Sequence, residues 1–106
     1  MLFRSFRNPA SLVAFDASSG APAAKIETCG DADDMFVDAK RRRVYVSCGD
    51  GFLDVLNANP YELVERIPTI KGARTSLLVP EIDRLFVAAR TTAEALAAVW
   101  VFRPGP

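Results

Sequence analysis

The feature that most constrains this chain is that it repeats itself. Leu12, Phe15, Ile26 and Thr28 return as Leu53, Leu56, Ile67 and Thr69, each 41 positions later. Arg43, Val44, Tyr45 and Val46 return as Arg84, Leu85, Phe86 and Val87 at the same spacing of 41. Val37 and Val79 align at 42, and Leu53 and Val99 at 46, which places the extra residues in the segment from Thr91 to Ala98. A repeat this long is one supersecondary unit that cannot bury its apolar face alone and must stack on its neighbours.

The texture inside each repeat selects the unit. Short runs rich in Val, Leu, Phe and Tyr alternate with turn-formers, which favours strands over helices. Ten strands are predicted: Leu2 to Arg4, Ser11 to Asp16, Ala23 to Thr28, Asp34 to Asp38, Arg43 to Cys48, Phe52 to Asn57, Glu62 to Pro68, Thr75 to Val79, Arg84 to Ala89 and Ala97 to Phe102. Gly49, Asp50 and Gly51 provide hairpin chemistry between two of them, and Ser18, Ser19 and Gly20 a looser turn. The Thr91 to Ala98 segment is rich in Ala, Glu and Leu but too short for a stable isolated helix, so it is read as an enlarged loop.

A period near 40 built from four strands is the signature of a propeller blade. The expected fold is therefore all-β, made of antiparallel β-propeller blades with strands A to D running outward from the axis. Residues 1–33 supply B-C-D, 34–72 a complete A-B-C-D and 73–106 A-B-C, an incomplete ring in one partial domain. Three blades, two of them partial, fall short of the four that rings typically require, and unpaired outer backbone invites association. The expected partners are accordingly other copies of the chain or neighbouring blades.

At Arg43-Val44-Tyr45-Val46-Ser47 the chain resembles the YVTN-repeat family of propellers, with Cys48 where that family has Asn. Phe52-Leu53-Asp54-Val55-Leu56-Asn57 and Tyr61 to Thr69 are similar to the family's next two strands, Asn57 standing where an Asp is common and Asp16 supplying it one repeat earlier. The resemblance implies a propeller fold and proteins that are often exported. It carries over no catalytic residue. No signal-peptide core is visible here, since Asp16 interrupts the apolar run from Ser11 to Phe15, and the compartment stays open.

Composition excludes several functions. Thirteen basic and thirteen acidic residues cancel, removing the bulk attraction to nucleic acid or an anionic membrane. Lys40 to Arg43 is the one basic run and reads as a solvated hairpin turn. No apolar stretch approaches the length of a membrane span. The absence of histidine removes the commonest proton-transfer group near neutral pH, and Ser47 and Ser76 lack a nucleophile-elbow context. Cys29 and Cys48 have no metal-ligand spacing and read as two free, semi-buried thiols, with a disulfide as the alternative.

The candidate ligand face is the end of the blades where D-to-A and B-to-C connections emerge. It collects Asp31, Asp33, Asp34, Asp50, Arg74 and Arg90, with Arg7 and Asn8 in the first repeat. Asp31, Asp33 and Asp34 together suit a hard cation such as calcium, although Asp is also an ordinary turn residue. Trp100 and Phe102, alternating with Val99 and Val101, are expected to be buried between blades. The function expected is a non-catalytic interaction or scaffold module. The alternatives are a metal-assisted enzyme resembling propeller lactonases or dehydrogenases, and a fragment of a larger propeller with no function of its own.

Overall fold

The computed structural model describes residues 2–7, 10–58, 61–73, 75–89 and 97–105. Ten strands run in chain order: β1 Leu2–Arg7, β2 Ala10–Phe15, β3 Pro22–Glu27, β4 Ala32–Asp38, β5 Arg43–Cys48, β6 Phe52–Asn57, β7 Glu62–Pro68, β8 Thr75–Val79, β9 Arg84–Ala89 and β10 Ala98–Phe102. They form three antiparallel sheets, β1-β2-β3, β4-β5-β6-β7 and β8-β9-β10. This is the all-β architecture and the three, four and three division that the repeat predicts. Among the described residues the one helical element is the short turn Pro80–Ile82, and no helix is long and apolar enough to cross a membrane. Most of the segment read as an enlarged loop lies outside the described residues.

The repeat is written into the backbone as well as the side chains. A bulge interrupts β2–β3 pairing between Ala14 and Phe15, and another interrupts β6–β7 pairing between Val55 and Leu56, 41 positions on. Positive φ occurs at Asp31 and Gly72, and again at Arg42 and Asp83, two pairs that are also 41 apart. Asp38 pairs with Arg43 as Val79 pairs with Arg84. The inner strands therefore keep the period at 41, and Val79 corresponds to Asp38 rather than to Val37. Cross-strand register, which sequence comparison does not see, fixes that alignment.

The sheets stack because each buries an apolar face on the next. Leu12 and Ile26 of the first sheet pack with Val44, Val46, Cys48 and Leu56 of the middle sheet. On its other side the middle sheet uses Tyr45, Leu53 and Val55 against Leu85, Leu78 and Phe102 of the last. Successive residues of β5 and β6 are buried on both faces, so these strands read as continuous apolar runs rather than as an alternation. The inner strands β1, β4 and β8 lie side by side.

Cys29 and Cys48 are joined as a disulfide, which corrects the reading of two free thiols. The connection after β3 brings Cys29 back beside the end of β5, an approach with no signal in the cysteine spacing. One repeat later the same two positions are Ile70 and Ala89, which pack in one apolar cluster. The bond thus replaces a packing contact. Closing a 19-residue separation is expected to stabilise the fold by about 3 kcal/mol. Urea unfolding should show that loss on replacing Cys29 and Cys48 by Ser, and a smaller loss for Cys29→Ile with Cys48→Ala. Equal losses would contradict the equivalence.

Candidate functional site

The loop end of the stack is laced by backbone bonds. Gly49 N–H donates to the Asp31 carbonyl at 2.8 Å and Asp50 N–H to the Gly30 carbonyl at 3.2 Å. Thr69 N–H reaches the Gly51 carbonyl at 2.7 Å and Gly72 N–H the Gly49 carbonyl at 2.6 Å. Two D-to-A connections therefore grip one B-to-C turn, at a single end, as the blade reading expects. The approach is close at two positions: a Cβ on Gly30 would displace the Asp50 carboxylate, and one on Gly49 that of Asp31.

Of the residues expected to bind a ligand, Asp31 and Asp50 are brought together in this lacing. Asp33 is the extra residue where β4 slips register against β5. Asp34 is engaged with the last sheet. Its Oδ2 accepts the Ser76 N–H at 3.0 Å, beside the 2.9 Å contact between the Ser47 and Ser76 hydroxyls. Asp34 and the two serines tie the middle sheet to the last. Among the described residues no group of three or more His, Cys, Asp or Glu is placed to hold a metal ion. Asn8, Arg74 and Arg90 lie outside the described residues; Arg7 ends β1.

Three carboxylates that sequence pattern does not single out, Asp54, Asp38 and Asp83, carry ion pairs to arginine. Asp54 of β6 is fully buried, yet its Oδ2 accepts the Cys29 N–H at 2.8 Å and both oxygens engage Arg66 of β7, at 2.7 and 3.0 Å. This pair joins the first sheet's exit to the middle sheet, and the carboxylate raises the Arg66 pKa. Asp54 takes the repeat position of Val13, and Arg66 that of Lys25, so the first repeat offers no precedent for a buried pair.

Arg41 makes the second junction. Its guanidinium meets Asp83 in bidentate fashion at 2.6 and 2.5 Å, and Asp38 at 3.1 Å. The Tyr45 hydroxyl donates to the same Asp38 oxygen, Oδ2, at 2.8 Å. The basic run thus forms the expected turn, but Arg41 is not solvated; it joins the β4–β5 turn to the β8–β9 turn. Hydrogen bonding to Arg41 holds the Asp83 carboxyl below its ordinary range. Burial pushes Asp38 up, but the hydrogen bonds from Tyr45 and Arg41 outweigh it and hold the carboxyl low. Burial, then the Asp38 contact, pushes the Tyr45 phenol up to about 12.

The remaining candidate is a surface. Alternation along β10 sends Trp100 and Phe102 inward, with ring centroids 6.2 Å apart, and Val99 and Val101 outward. Register places Leu77 and Phe86 on the outward face with Val101, and Thr75 and Ala88 with Val99. Leu77, Val99 and Val101 are 54, 63 and 57% exposed. Sequence reasoning expects the aromatics of β10 to be buried and does not single out its valines. Comparison of the chain with protein-family models, curated proteins and solved structures finds no match.

The Arg41 junction sets an acid dependence. Asp38 and Asp83 have folded-state pKa values below their unfolded ones, so their contribution is present above the unfolded carboxylate pKa of about 4 and is lost as pH falls through the lower folded values. Arg41→Met should lower the urea midpoint at pH 7 and shrink the difference between pH 7 and pH 3. An unchanged difference would mean that these carboxylates are not held by Arg41.

Proposed function

We propose that the chain is a non-catalytic interaction module of the β-propeller kind, whose last sheet takes a further β-sheet on its outward face. The observation that carries this reading is the uncovered apolar face of β8-β9-β10. A sheet buried on one side and bare on the other ordinarily alternates apolar with polar residues. Here Leu77, Val79, Phe86, Ala88, Val99 and Val101 fall on the outward side, with Thr75 and Arg84 as its polar members, a pattern suited to contact with another surface. The spacing of repeats supports blades, and the 41-residue recurrence of bulges and positive-φ residues supports their equivalence. The sheet that covers the face belongs either to another copy or to neighbouring blades.

Chemistry offers no rival of equal weight. Asp34, Asp38, Asp54 and Asp83 are engaged in holding sheets and turns, and the hydroxyls of Ser47 and Ser76 contact each other. A direct test is an apolar fluorescent dye added to the folded chain at high dilution. Dye fluorescence should rise with the wild-type chain and fall severalfold in a Val99→Lys, Val101→Lys double variant. Leu63→Lys, on β7 of the middle sheet, should leave it unchanged. A wild-type chain with no dye response would overturn the reading.

A further inference from the structure

Each sheet presents the same strand positions to the sheet that follows it. Leu12 and Ala14 of β2 face the middle sheet and are 1 and 2% exposed. Leu53 and Val55 of β6, 41 positions later, face the last sheet and are 1 and 8% exposed. Val99 and Val101 of β10, 46 positions later again, face solvent and are 63 and 57% exposed. The inner strands repeat the pattern, since Phe36 is packed in the joint between the middle and last sheets while its equivalent Leu77 is 54% exposed. The open face is therefore a third instance of a joint that the chain makes twice.

We propose that the sheet completing this third joint is the first sheet of a second copy, so that two chains close head to tail into a ring of six sheets. The proposal rests on the reading above, that the face takes a β-sheet, and names the sheet. The receiving side of a joint is the face a sheet turns toward its predecessor. In the middle sheet that face carries Phe52, Asp54 and Leu56 on β6 and Arg66 on β7. In the first sheet the same positions, 41 earlier, are Ser11, Val13, Phe15 and Lys25, on the side of β2 and β3 turned away from the middle sheet.

Ser11 is buried there, Val13 and Phe15 are half-buried, and Lys25 is exposed at the outer strand. Arg66, its equivalent, stands at the rim of an existing joint with its side chain 40% exposed. Lys25 has the same freedom to lay its stem on the joint and keep its charge in water. Where the middle sheet buries Asp54, paired with Arg66 of the same sheet, the first carries the apolar Val13.

Symmetry and number favour this occupant. Face-to-face pairing of two last sheets would cover one open face per chain and leave the half-buried Val13 and Phe15 of the first sheets without a partner. A head-to-tail joint is heterologous and ends only by closing into a ring, which covers both end faces of every copy. Propellers typically hold 4 to 8 blades, and two copies of the three sheets formed by the described residues make six, inside that range.

Light scattering on a sizing column, with single and mixed variants, tests the ring. The wild-type chain should run at twice its 11.5 kDa mass. Val99→Lys with Val101→Lys, breaking the offering face, and Val13→Lys, breaking the receiving face, should each run as single chains. Mixed one to one, they should form a two-chain species through the one intact joint. Disulfide formation between Cys29 and Cys48, read by mass spectrometry, reports that each variant has folded. Should a lysine variant fail to fold, Val101→Thr and Val13→Thr should each weaken wild-type-like assembly by about tenfold, since each buries an unpaired hydroxyl.

A Val13→Lys chain that assembles like the wild type overturns the ring and leaves the docking face standing. So does a single-chain wild type that still shows the dye response of the last sheet. A single-chain wild type without that response overturns both.

Discussion

Sheet-on-sheet burial holds this chain together, and it imposes a condition the chain does not meet alone. A sheet has two faces, and a stack of sheets always has two ends. The middle sheet meets both needs internally, with β5 and β6 buried on either side by residues of its neighbours. The first and last sheets meet one need each. Everything else in the structure, from the laced loops to the two ion-pair junctions, fixes the angle and register at which these faces meet.

The polar contacts divide that work by position. Asp54 and Arg66 lock the exit of the first sheet to the middle one, and the disulfide closes the same corner. Asp34, Ser47 and Ser76 align the inner strands of the middle and last sheets. Arg41 joins two equivalent turns at the opposite end of the strands from the laced loops. The covalent period of 41 thereby becomes a spatial period of joints. Buried ion pairs stabilise modestly in net terms because desolvation offsets their attraction, but breaking one by misregister leaves a buried charge uncompensated. That suits a stack whose sheets resemble one another and are otherwise easily slipped.

Much of the fold was legible in the sequence because alternation and turn chemistry act locally. Strands β5 to β9 fall on the residues that pattern alone delimits, and the other five differ from it only at their ends. What was not legible depended on partners distant in sequence. The two cysteines carry no motif, and their pairing follows from a loop returning to a strand end. Ile70 and Ala89, their equivalents, hold a hint of it, and reading that hint requires knowing the register. Asp31, Asp33 and Asp34 looked like a cluster because they are close in sequence. A positive φ at Asp31 and a register slip at Asp33 interrupt the strand between them, Asp34 is taken by the Ser76 N–H, and among the described residues no metal-holding group results. Asp54 and Arg41 escaped notice because their equivalents in the neighbouring repeat, Val13 and Ile82, are apolar.

The central claim is that the outward positions of β10 are joint positions awaiting a sheet. Hydroxyl-radical footprinting with mass spectrometry, run across a range of protein concentrations, reads it residue by residue. Leu53 and Val55 should stay protected throughout, while Val99 and Val101 should be labelled in dilute protein and become protected as concentration rises. Protection of Val99 and Val101 in dilute protein, or labelling that does not change with concentration, would contradict the claim.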